Sequence, residues 1–76
     1  MSQFSNAVTK AIEESRLSQT ELAASTGISI AQINRYARGR TDIRPKILAQ
    51  LLAAFSTDHQ ARLIRAFLLD QVPAEH

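Results

Sequence analysis

The chain has 76 residues, 45% hydrophobic and 21% charged, with a formal net charge of +2 and no cysteine. These values predict one ordinary globular domain over residues 1–76, and exclude a disordered chain, a disulfide framework and thiolate metal sites. A domain this short buries only about 60% of its unfolded surface, so the core is small and dimerisation is a natural way to enlarge it.

The start, MSQFSNAVTK, lacks the basic segment and apolar run of a signal peptide. The most apolar stretch, ILAQLLAAF from Ile47 to Phe55, is far short of the roughly 20 residues needed to span a bilayer. No membrane partner is expected, and the default location is cytoplasmic. His59 and His76 lie far apart with no clustered ligand partners, so no metal or cofactor is expected. The charge is unevenly spread. Residues 29–46 hold Arg35, Arg38, Arg40, Arg44 and Lys46 against Asp42 alone, a net of +4, which leaves −2 for the rest. A basic segment on a mildly acidic body suits a partner with a phosphate backbone, although a merely solvated basic face has the same composition.

Every segment reads as helix. The first helix lies within residues 5–16, with Val8, Ala11, Ile12 and Ser15 on one side and Phe4 and Leu17 as flanking anchors. Ser18-Gln19-Thr20-Glu21 is a capping box that opens a second helix over residues 19–26, burying Leu22, Ala23 and Thr26, and Gly27 closes it. Ser29 with Gln32 forms another box and starts a third helix over residues 29–38, closed by Gly39. Two short capped helices with so few residues between them must cross steeply, as a helix-turn-helix does. Pro45 suits the first turn of a fourth helix, residues 45–55, presenting Leu48, Leu51, Leu52 and Phe55. Thr57-Asp58-His59-Gln60 reads as a third box, opening a fifth helix to about Asp70. Pro73 prevents its clean continuation, and the tail from about residue 71 is expected to fray. The expected fold class is all-α, a compact five-helix domain.

The third helix carries the most chemistry. At 3.6 residues per turn, Ile30, Asn34, Arg38, Ala31 and Arg35 fall within an arc of about 140°, while Ile33 and Tyr36, with Ile28 in the turn, face the core. A major groove admits one α-helix, and its base edges suit these side chains: arginine forks onto guanine, asparagine onto adenine, and a small apolar group touches the thymine methyl. Ile30 also lies only about 60° from Ile33, so the edge of the core is its alternative place. Gln19 and Ser29, at helix N-termini, can approach phosphates, and Arg38, Arg40, Thr41 and Arg44 suit backbone positioning. Ser29, like Ser18, is equally a helix cap, and Asp42 is expected to face Arg40 or Arg44 or to help order the loop.

With these residues in view, LSQTELAASTGISIAQINRYARGR resembles the helix-turn-helix of the Cro and lambda-repressor family, also called the XRE family. Leu17, Ser18, Gln19, Leu22, Ala23, Gly27, Ile28, Ser29, Ile33 and Gly39 carry the likeness, which covers residues 5–56. The resemblance implies a lambda-repressor-like fold. It also implies a phosphate-contacting Gln19, base-reading positions at Ile30, Ala31 and Arg35 with Asn34 a lesser one, and backbone contacts from Arg38 and the following loop. The family often has polar readers in place of Ile30 and Ala31, glutamate in place of Ala37, and a shorter loop than residues 40–44.

The leading expectation is a sequence-specific, double-stranded-DNA-binding transcriptional regulator of repressor type, bacterial or phage-encoded, bound as a homodimer to a palindromic site. Leu63, Ile64, Phe67, Leu68 and Leu69 make the fifth helix more apolar than inward packing requires, so Leu63, Ile64, Phe67 and Leu68 are the expected dimer interface; closure of the monomer core is their other use. A restriction–modification controller or an antitoxin fits the same residues. A protein partner would enter if the chain belongs to a toxin–antitoxin pair or a longer regulator. The alternative function is a helical protein-interaction module that keeps the fold without specific DNA binding. RNA binding is a weaker variant, as few aromatics are available for stacking. No enzyme activity is expected, because Asp58 and His59 diverge on a helix and no nucleophile is paired with them.

Overall fold

The fold is described from a computed structural model covering residues 3–39 and 43–71. Its helices are α1 (Gln3–Ser15), α2 (Gln19–Thr26), α3 (Ile30–Arg38), α4 (Pro45–Leu52) and α5 (Thr57–Asp70). Among the described residues there is no strand.

Helix α1 begins earlier than its sequence suggests. The N–H groups of Gln3 and Phe4 donate to the two carboxylate oxygens of Asp70 at 3.0 and 2.9 Å, so the end of α5 caps the start of α1. An anion there also suits the positive end of the helix dipole. The two extra residues, Gln3 and Phe4, bring Phe4 into the core, edge-on to Phe67 with ring centroids 6.2 Å apart. At the other end the N–H of Arg16 bonds to the Glu13 carbonyl and that of Leu17 to the Ile12 carbonyl, closing the helix with Arg16 at φ 56°.

The capping box of α2 is present in full: Glu21 N–H donates to Ser18 Oγ at 3.0 Å, and Ser18 N–H to Glu21 Oε1 at 2.9 Å. Gly27 ends the helix at φ 79°, which an L-residue adopts only with strain. Thr26 then ties the turn, its hydroxyl donating to the Leu22 carbonyl at 2.8 Å and accepting from Ile28 N–H at 3.2 Å. Ala23 and Thr26 are half-buried, and Leu22 alone in α2 is fully buried. Ser29 caps α3 by accepting from Gln32 N–H, without the return bond of a full box.

Two boundaries differ from the sequence reading. Helix α4 stops at Leu52, not Phe55, and the Gln60 side chain satisfies the freed carbonyls of Leu52 and Phe55, donating to them at 3.0 and 2.9 Å. Gln60 therefore serves the end of α4 and is not the return arm of a box with Thr57. The cap of α5 is Ser56, one residue earlier, whose Oγ accepts from His59 N–H. Phe55, outside the helix, is still buried.

α1 lies along α5 and also meets α3, and α3 packs on α2. The core between them holds Val8, Leu22, Ile33, Leu51 and Leu63, each at most 1% exposed, with Phe4, Ile28, Tyr36, Leu48 and Phe55 around them. Ile43, not anticipated as core, fills it from the segment before α4. Among the described residues no helix is long and apolar enough to cross a membrane. Residues 72–76, most of the tail expected to fray, lie outside the described residues.

Candidate nucleic-acid interface

The core decides which way α3 faces. Ile33 and Tyr36 are 1% and 6% exposed, so the opposite side of the helix must meet solvent. On that side Ile30 is 47% exposed, and Ala31, Arg35 and Arg38 are exposed with it. Ile30 is thus an outward residue and not part of the core edge. The fold leaves about half of this apolar side chain uncovered, and a thymine methyl would give that part contact.

Asn34 is half-buried and stands beside Gln19. The Asn34 Nδ2 donates to Gln19 Oε1 at 3.5 Å, a long bond that links the start of α2 to the middle of α3. At the two helix starts Ser18 and Ser29 each accept one first-turn amide, from Glu21 and Gln32. Arg44 is exposed at the N-cap of α4 and offers no side-chain capping bond. Arg40 and Thr41, expected phosphate ligands, lie outside the described residues, as does Asp42.

The electrostatics of this side are simple. Both side-chain contacts of salt-bridge length among the described residues are at Glu14, to the His59 ring at 2.9 Å and to Arg62 at 3.1 Å. Arg35, Arg38, Arg44 and Lys46 therefore face solvent with no carboxylate of the described residues in salt-bridge range. Such cations hold mobile counterions, whose release on meeting a polyanion favours binding.

Two features lie away from α3. On α5, Ile64, Leu68 and Leu69 are 41%, 57% and 43% exposed and line a shallow groove with Ala61 and Arg65. Leu63 is a correction to the expected strip: it is fully buried, since residue 63 turns inward with Ala66 while 64 and 68 turn out. Phe67 is half-buried against Phe4.

The second feature, at the seam of α1 and α5, was not visible in the sequence. His59 Nε2 meets Glu14 Oε1, while its Nδ1 lies 3.1 Å from Ser56 Oγ and 3.4 Å from Ser15 Oγ. With Nε2–H donating to the carboxylate, Nδ1 is left to accept from a serine hydroxyl. The His59 hydrogen bond holds the Glu14 carboxyl below its ordinary value, against some desolvation and helped by the charges of Arg62 and Lys10. Hydroxyl, imidazole and carboxylate stand in a row here, but Ser56 Oγ is already the cap of α5, and the row closes α1 onto α5.

A family model described as helix-turn-helix matches residues 8–61. That span runs from the middle of α1 into α5 and takes in the turn between Gly27 and Ser29. The chain belongs to the Cro and lambda-repressor type of helix-turn-helix family. It is a DNA-binding domain of the lambda-repressor-like, all-α fold, in a family of regulatory domains. No curated protein and no solved structure matches it. Family membership makes α2 and α3 the helix-turn-helix pair and α3 its second helix.

Proposed function

We propose that this chain is a sequence-specific transcriptional regulator of repressor type, bacterial or phage-encoded, which inserts α3 into the major groove of double-stranded DNA. The observation that carries the reading is the outward face of α3, where Ile30, Ala31, Asn34, Arg35 and Arg38 stand together and no described carboxylate pairs with the arginines. In this reading Arg35 forks onto a guanine, Ile30 and Ala31 meet thymine methyls, and Asn34 reads a neighbouring base while Gln19 steadies it. Gln19, Ser29, Arg38, Arg40, Thr41 and Arg44 contact phosphates and set the register of α3.

The regulator acts as a symmetric dimer, with two copies of α3 entering successive major grooves about 34–36 Å apart on a palindromic site. The support for dimerisation is the exposed strip of Ile64, Leu68 and Leu69, apolar surface that a small core leaves uncovered. Incubation with a randomised duplex pool at near-physiological salt, followed by sequencing of what is retained, tests the whole reading. An enriched palindrome is the expected result. Retention without enrichment would reduce the function to backbone binding, and no retention at low salt would overturn it in favour of a protein partner on α3.

A further inference from the structure

We infer that Arg16 is an additional phosphate ligand, extending the DNA-facing surface from the start of α2 back onto the end of α1. The inference rests on the DNA-binding reading above. Arg16 is the only non-glycine residue at positive φ among the described residues, at 56°. The same task at the ends of α2 and α3 falls to Gly27 and Gly39, at φ 79° and 71°. Left-handed backbone brings the Cβ of an L-residue too close to its carbonyl, a strain glycine avoids. The two bonds that close α1, Arg16 N–H to Glu13 and Leu17 N–H to Ile12, are main-chain bonds that glycine or asparagine would make as well. The backbone alone therefore argues against arginine at this position. What arginine adds is a charged fork on a long stem.

A cation at a helix C-terminus also favours the dipole, and that is the competing account. The surroundings separate the two. Arg16 is exposed, and no carboxylate of the described residues, neighbouring Glu13 included, stands within salt-bridge range of it. Three residues on is Gln19, which touches Asn34 on the recognition face. Consecutive Cα atoms are about 3.8 Å apart, so Arg16 lies within about 11 Å of Gln19 along the chain, next to the expected phosphate path. Lys10, Arg62 and Arg65, the other cations outside residues 29–46, belong to the α1–α5 side and lack this adjacency.

The test compares wild type, Arg16→Asn and Arg16→Lys on the duplex selected from the random pool and on an unselected duplex, across a salt series. Asparagine tolerates left-handed backbone, so the fold is retained while the charge is removed. Arg16→Asn should weaken binding to both duplexes by the same factor and reduce the slope of log K against log[salt] by about one unit. Arg16→Lys should keep the wild-type slope. A wild-type slope in Arg16→Asn would overturn the inference and leave Arg16 a helix terminus only. Should Arg16→Asn melt well below wild type, Arg16→Gly, which removes the strain as well as the charge, decides by the same slope. Wild-type protein that binds neither duplex at any salt would overturn the DNA-binding reading itself, a result distinct from an unmoved slope.

Discussion

The α3 face and the α1–α5 seam are built from similar residues and treat them in opposite ways. At the seam, Glu14, His59, Arg62, Ser15 and Ser56 saturate one another within 3.4 Å. On α3, Arg35 and Arg38 are held out by a helix anchored through Ile33 and Tyr36 and are left without carboxylates. Charges neutralised internally have little to offer a polyanion, and free ones release counterions to it. The difference between binding surface and scaffold here lies in the pairing of side chains more than in their type.

The comparison breaks most readily in α5, where one helix serves both purposes. Leu63→Ala should cost about 2–5 kcal/mol of stability by leaving a cavity. Leu68→Ala should stay within about 0.5 kcal/mol of wild type in a dilute monomer and act on self-association instead. Urea unfolding and sedimentation of the two variants measure this, and equal destabilisation would erase the distinction between inner and outer faces. Arg35→Ala should leave unfolding unchanged and weaken the selected duplex by about 1–3 kcal/mol, with discrimination relaxed at one base pair. Equal losses on selected and random duplexes would make Arg35 a phosphate ligand.

Asp70→Ala should cost about 1 kcal/mol, the usual worth of a helix cap, although the residue is exposed on the last turn of α5. Amide exchange at the first turn of α1 should rise with it. No change there would mean that α1 starts without help from α5. The smallest effect concerns acid. The His59 hydrogen bond holds the Glu14 carboxyl below its ordinary value, so its contribution to stability is complete above that ordinary value and fades as pH falls through the lower folded one. Glu14→Gln should flatten that part of the acid limb in a stability–pH series, with the neutral plateau shifted and nearly level. An acid limb identical to wild type would show that the seam holds α1 and α5 by packing, with no help from charge.

What could be read directly from the chain is local in origin. The box of Ser18 with Glu21, the glycines after α2 and α3, Pro45 opening α4 and the inward positions Ile33 and Tyr36 all follow from partners within about four residues or from helical period. The outward face of α3 followed too, because an anchored inner side dictates the outer one. The remaining features needed distant partners. Asp70 caps α1 across 67 residues in sequence, Glu14 and His59 meet across 45, and Gln19 and Asn34 across 15. Gln60 was legible as a capping residue, but only the docking of α4 on α5 made the carbonyls of Leu52 and Phe55 its acceptors in place of its own helix. Whether Ile30 belonged to the core and whether Leu63 belonged to the surface were likewise decided in three dimensions. Periodicity says which residues share a side of a helix, and only the neighbouring helices decide how much of that side they cover.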